Sequence, residues 1–312
     1  MKTKKIVVFF MVFVLLVTQQ ELSLINGKAS CVDNDIYTQQ NKVSVMIELQ
    51  EKPVEEYCCE EKEQLREKLI TYQASVKREI IKKVGKNNVQ FDKDYQYLFN
   101  GFSAKIHTSN IKKISECKEV KSVFIQPQFK ASIENIEKAE QEYTARALSS
   151  VKEYTGKGTA VAILDTGFDI KHEVFKTILE NVKISKESVD TLICNNKLNV
   201  NKAKEIYKNS KFPFVYDYAG NDTSVTAKRN QLWEHGTHVA GIVGASNGVD
   251  GSAENTQIVA MKVFSDDGTL TDFGVILTAL EDAVELNVDA INMSFGDAYG
   301  FSNDSITSVQ NI

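Results

Sequence analysis

His235-Gly236-Thr237-His238-Val239-Ala240-Gly241-Ile242-Val243-Gly244 is the stretch whose reading decides the fold. Its small residues Gly236, Ala240, Gly241 and Gly244 share one helical side and permit close packing. Each glycine weakens an isolated helix by up to about 1 kcal/mol, so the composition predicts a helix whose tight burial compensates. His235 stands at the helix start, able to project its imidazole outward. His235 and His238, three apart, have the spacing of metal ligands, but no Glu lies between them as in H-E-x-x-H and no third ligand is evident. His238 reads instead as a structural, hydrogen-bonded residue.

Upstream, residues 159–164 (TAVAIL) form an apolar run of strand length that ends in Asp165-Thr166-Gly167. Open α/β sheets place their sites at the C-terminal ends of strands, where backbone donors can hold a carboxylate buried and ionised. Taken alone, Asp165 could equally start a turn. Asp-Thr-Gly also occurs in aspartic proteases, but those need two such carboxylates sharing a proton, and this chain has one copy. Gly156-Lys157-Gly158 comes before the strand, whereas a dinucleotide fingerprint follows one and opens a helix. Downstream, residues 259–264 (VAMKVF) read as a strand. Residues 271–286 read as an amphipathic helix with Ile276, Leu280 and Val284 inward and Glu281, Asp282 and Glu285 outward. Residues 289–294 (DAINMS) read as a short buried strand running into Phe295-Gly296. This alternation of β and α predicts an α/β domain with a parallel sheet.

Together VAILDTGF (161–168), HGTHVAGIVG (235–244) and INMSFG (291–296), in this order and spacing, resemble the subtilisin-like serine proteases. The resemblance implies Asp165 as the residue orienting the histidine and His235 as the general base, in the chain order Asp, His, Ser. It implies that Ser294-Phe295-Gly296 is an extended strand pairing with substrate backbone by β-augmentation. Gly268, Thr269, Leu270 and Thr271 would be the facing strand. The family's nucleophile comes from a late Gly-Thr-Ser-Met-Ala-x-Pro segment, and nothing here matches it. Ser302, Ser305 and Ser308 lie in residues 301–312, which read as the start of a helix; Asn303 and Asn311 do not substitute for the oxyanion-hole Asn. From Gly156 only 157 residues remain, against roughly 200–250 for α/β domains of this bulk. The expectation is therefore an incomplete catalytic domain, a fragment or truncated product, inactive as this chain alone. The family's His-Pro-Asp becomes His172-Glu173-Val174, and residues 245–251 are short for the usual calcium loop. No metal and no cofactor are expected. The long polar insertion between Lys171 and Trp233 is expected to shape the substrate cleft.

The first half reads differently. Residues 43–49 (VSVMIEL) alternate as a strand, ended by Pro53. Residues 60–84 carry apolar positions at helical period. Residues 95–106 read as a strand pair around an Asn100-Gly101 turn, Ser109 as the cap of a short helix through Lys118, and residues 120–125 as a closing strand. The order β-α-β-β-α-β is the ferredoxin-like split unit, an α+β domain over residues 42–130. Its layout, with Asn100-Gly101-Phe102-Ser103-Ala104, resembles the inhibitory propeptide of secreted subtilisin-like proteases, which implies a propeptide that binds its own catalytic domain. Residues 131–155 are the expected linker and processing region, and 156–312 the N-terminal part of the peptidase domain.

Glycine separates the halves: 3 of the 16 lie before Lys152 and 13 after it. Residues 1–150 carry a formal charge of +3 and residues 151–312 of −8, so two different units stand in tandem. A net charge of −5 offers no basic surplus for nucleic acid. Three early lysines and the twelve apolar residues 6–17 read as a secretory signal, residues 1–29, too short for a comfortable membrane span. The expected location is secreted or cell surface. The five cysteines, an odd number without paired spacing, imply no disulfide framework. Two functions follow: a secreted serine endopeptidase zymogen acting on polypeptides, or a noncatalytic pseudoprotease or propeptide-type protease-binding module.

Overall fold

In the computed structural model, residues 42–57, 61–131, 154–201, 205–226, 235–266 and 270–296 are described. They fall into two compact units, one ending at Gln126 and the other beginning at Pro127.

In the first unit, β1 (Lys42–Leu49) buries Val45, Met46, Ile47 and Leu49. Helix α1 (Lys62–Val84) lays Leu69, Gln73, Val76, Ile80 and Val84 inward at spacings of three and four, the stripe an amphipathic helix needs. Gly85, at φ +90°, stops it. Then come β2 (Val89–Tyr95), β3 (Gly101–His107), α2 (Ile111–Ser115) and β4 (Val120–Ile125). The antiparallel sheet has order β2-β3-β1-β4, with Val45 opposite Ala104 and Ile125. This is the split β-α-β-β-α-β arrangement. Val45, Ile47, Val76, Ile80, Phe102, Ile106 and Ile114 form its core.

Two local expectations change. Asn100-Gly101 is not the hairpin turn, because β2 ends at Tyr95 and residues 96–100 make the connection. Asn100 is buried instead; its side chain accepts from Gln73 Nε2 at 2.8 Å and donates to the Glu51 carbonyl at 2.7 Å. Gly101 is required by close approach, since a Cβ there would lie 2.1 Å from the Ile47 carbonyl oxygen. The short helix is also shorter than expected and begins after a 3-10 turn, without a side-chain cap from Ser109.

The second unit holds β5 (Gln128–Ala131), β6 (Ala160–Asp165), α3 (Lys186–Cys194), β7 (Phe214–Asp217), α4 (His235–Gly244) and β8 (Gln257–Lys262). It continues with β9 (Leu270–Asp272), α5 (Phe273–Glu285), β10 (Ala290–Met293) and β11 (Phe295–Gly296). A parallel sheet of order β10-β6-β8-β7 carries the core, while β11-β5-β9 form a second, antiparallel sheet. β8 is buried along its whole length, as parallel strands covered on both faces are. Ile163, Phe168, Phe212, Val215, Ala240, Ile258 and Ala260 pack as one cluster.

Helix α5 corrects the amphipathic reading, because Glu281 and Asp282 are buried. Asp282 accepts hydrogen bonds from the Asn199 backbone N–H (2.8 Å), Asn199 Nδ2 (3.0 Å) and Tyr218 Oη (2.8 Å). The insertion covers a helix face that periodicity assigned to water and supplies its donors. Among the described residues, no helix is long and apolar enough to cross a membrane.

Candidate active site

Asp165 is the last residue of β6, at the C-terminal edge of the parallel sheet, and is 1% exposed. A carboxylate buried so deeply needs donors. Its Oδ1 accepts from the Thr166 backbone N–H at 2.7 Å and from Thr166 Oγ1 at 3.2 Å. His235, first residue of α4, brings Nδ1 within 2.8 Å of Oδ1 and 3.0 Å of Oδ2. An ionised carboxylate only accepts, so the neutral imidazole carries its proton on Nδ1 and keeps Nε2 as the basic nitrogen.

Gly236 makes this contact possible. A Cβ there would fall 2.4 Å from the Gly167 carbonyl oxygen and 2.9 Å from Asp165 Cβ. The Asp165-Thr166-Gly167 turn thus lies against a helix surface with no side chain at that point. Thr237 Oγ1 also accepts from the Asp169 backbone N–H at 2.8 Å. Of the small residues read on one side of the helix, Gly236, Ala240 and Gly244 are buried. Gly241 faces open space. His238 is exposed, because the buried side of α4 is the Gly/Ala side.

The second sheet brings two more sequence-derived segments together. Strand β5 lies between β9 and β11, antiparallel to both, with Lys130 opposite Gly296 and Leu270, Ala131 opposite Phe295, and Phe129 opposite Thr271. Leu270, 39% exposed, opens β9. Gly268 and Thr269 lie outside the described residues, as do residues 301–312 with Ser302, Ser305 and Ser308. Ser294 is half-buried and its Oγ donates to Asn292 Oδ1 at 2.9 Å. Phe129 is 8% exposed; its ring stacks on Phe273 (centroids 6.5 Å) and meets Phe295 edge-on (6.3 Å), and Phe295 in turn meets Phe264 at 5.4 Å. These separations suit favourable aromatic pairing.

Sequence reasoning missed β5 as a strand and Phe129 as its anchor. The available signal was the alternation in Gln128-Phe129-Lys130-Ala131 just after Pro127. It also missed the fully buried Lys262, opposite Asp165 in register, whose Nζ reaches Asp217 Oδ2 at 2.6 Å and Asp266 Oδ1 at 3.1 Å. Burial raises the Asp217 carboxyl above its ordinary value, and the Lys262 hydrogen bond opposes that rise. Among the described residues, no three His, Cys, Asp or Glu side chains are placed to share a metal ion.

Comparison with known proteins bears on the same segments. The family model described as Subtilase family matches residues 156–311, and that described as Peptidase inhibitor I9 matches residues 44–132. The PII-type proteinase of Lactococcus lactis subsp. cremoris is 32% identical over 258 residues, covering 78% of this chain and 13% of that protein. The Minor extracellular protease Vpr of Bacillus subtilis is 28% identical over 277 residues, covering 84% of this chain and 30% of that protein. The chain therefore spans less than a third of the length of these curated relatives. Among solved structures, fervidolysin from Fervidobacterium pennivorans, described as a keratinolytic enzyme related to subtilisin, superposes with a TM-score of 0.51 at 13% identity. The match covers 87% of this chain and 38% of that one, and concerns the fold alone.

Proposed function

The chain belongs to the subtilase family, and on that premise we propose that it is the propeptide and first catalytic part of a secreted or cell-surface serine endopeptidase precursor. Residues 1–29 would be the signal peptide, 42–130 the inhibitory propeptide domain, 131–155 the processing linker and 156–312 the N-terminal part of the peptidase domain. The observation that carries the reading is the two-point contact of His235 Nδ1 with the buried Asp165 carboxylate. Holding Nδ1–H on a carboxylate fixes the tautomer that leaves Nε2 to act as base.

In this mechanism the nucleophilic serine comes from a Gly-Thr-Ser-Met-Ala-x-Pro segment, which the 312 residues do not contain. His235 Nε2 takes the serine proton as Oγ bonds to the substrate carbonyl carbon, and Asp165 stabilises the imidazolium that forms. The imidazolium returns that proton to the departing amine as the C–N bond breaks, leaving an acyl-enzyme. Water, deprotonated by the same nitrogen, then releases the acid. Strands β9 and β11, with Ser294, Phe295, Gly296, Gly268, Thr269 and Leu270, would hold the polypeptide as a third strand. Strand β5 in that place supports self-inhibition by the propeptide's own end. Phe129 among Phe264, Phe273 and Phe295 supports an aromatic or large apolar side chain at the matching substrate position. The secretory pattern of residues 6–17 and the relative named as extracellular support an exported protein.

Labelling with a fluorophosphonate tests the reading. The 312-residue chain is expected to take no label; a form carrying the serine segment is expected to label and to release its propeptide between Lys130 and Gly156. Stoichiometric labelling of the chain alone, or an unreactive form that carries the segment, overturns the assignment.

A further inference from the structure

Val263, next to the buried Lys262, is hydrogen-bonded on both sides, to the end of β6 and to β9. It donates its backbone N–H to the Asp165 carbonyl oxygen at 3.0 Å. The Val263 carbonyl oxygen accepts from Thr271 Oγ1 at 2.5 Å. Thr271 is 5% exposed and stands in β9 directly opposite Phe129. One side-chain hydroxyl therefore links the strand that pairs with β5 to the backbone of Asp165 through a single residue, Val263. The preceding residue is held as firmly: Lys262 is fully buried between the carboxylates of Asp217 and Asp266. Val263 thus sits beside a firmly held residue, and the Thr271 hydroxyl ties β9 to it.

Resting on the assignment of the 128–131 position as the substrate strand, we propose that Thr271 is a positioning residue for the peptidase reaction: its hydroxyl fixes the edge strand β9 in register with Asp165, so that a paired peptide and the Asp165–His235 couple hold a common frame. A threonine methyl alone would fill the same space, but only the hydroxyl can satisfy the buried Val263 carbonyl. Removing the donor leaves that oxygen unpaired, which costs more than the net worth of an average hydrogen bond.

Hydrogen exchange of the 312-residue chain tests this without needing a nucleophile. Exchange reports local opening, and loss of this bond is expected to speed it roughly tenfold. In Thr271→Val, the amides of residues 128–131 and 270–272 and the amide of Val263 should all accelerate by about that factor. The amides of β6 and β8 within the parallel sheet should keep their rates, and Thr271→Ser, which restores the hydroxyl, should return all three sites to the wild-type values. Unchanged exchange at the edge, an unmoved Val263 amide, equal acceleration throughout the parallel sheet, or a Thr271→Ser that behaves as Thr271→Val each overturns the proposal. Failure of a serine-bearing form to hydrolyse peptides would defeat the proposed function and leave this exchange result standing.

Discussion

Two glycines five residues apart in α4 are expected to respond to alanine with opposite signs. At Gly236, the added Cβ meets the Gly167 carbonyl oxygen at 2.4 Å, Asp165 Cβ at 2.9 Å and Asp165 Cγ at 3.2 Å. The first is main chain and cannot rotate away, so the helix start must shift. Overpacking of this kind costs about 1–3 kcal/mol, against a gain of up to about 1 kcal/mol from replacing Gly by Ala in a helix. The net expectation for Gly236→Ala is a loss of roughly 1–2 kcal/mol. The shift also carries His235 away from Asp165, and contacts of 2.8 and 3.0 Å have little slack. At Gly241 nothing lies within 4 Å of the added Cβ, so only the helix term remains and Gly241→Ala should stabilise by about 0.5–1 kcal/mol. Urea unfolding followed by the fluorescence of Trp233, the sole tryptophan, compares them. With slopes of about 1–3 kcal/mol/M, the two midpoints should separate by roughly 0.5 M or more. A Gly236→Ala midpoint at or above that of Gly241→Ala would refute the packing argument.

Burial pulls the Lys211 ammonium down from 10.5 to about 8; the unfolded chain then holds that proton more tightly, so this group adds stability as pH rises from about 8 to 10.5. Lys211→Met should lack that rise when urea midpoints near pH 7 and near pH 10 are compared, and an equal rise in both proteins would remove Lys211 as its source. Phe129→Ala should cost about 3 kcal/mol locally and speed exchange of residues 128–131 and 270–272 roughly a hundredfold; unaltered exchange there would mean that the ring does not anchor β5. In a form that carries the nucleophile segment, His235→Ala should abolish propeptide release while the exposed His238→Ala retains it. Processing in the first variant and none in a stably folded second would reverse the roles given to the two histidines.

The helix 235–244, the strand ending at Asp165 and the β-α-β-β-α-β order were legible because each is written in a local pattern. Their apolar runs, glycine placement and turn residues need no knowledge of what lies across the fold. Asp165 and His235 were readable as partners only through the resemblance, since 70 residues separate them and no periodicity links them. Asn100-Gly101 misled for the same reason. The dipeptide is a strong turn signal in sequence, yet here Gly101 is needed because β3 presses on the Ile47 carbonyl, a neighbour the local window does not contain.

The misread charges share one cause. Periodicity sends a charged side chain outward, because burying it alone is prohibitive, and Glu281 and Asp282 duly read as the wet face of α5. That inference fails when a distant segment brings donors to the charge. Asn199 and Tyr218, both from the insertion, convert Asp282 into a fully buried acceptor. The same logic makes Lys262 invisible within VAMKVF: the strand is read through its apolar neighbours, while Asp217, 45 residues upstream, supplies the counter-charge. Breaking such a pair from one side is far costlier than never having built it. The insertion is therefore joined to the parallel sheet by the pairing of β7 with β8 and by charges that neither segment could bury alone. It enters this fold as a structural partner of the Asp165 edge, and its removal should unfold that edge rather than merely widen a cleft.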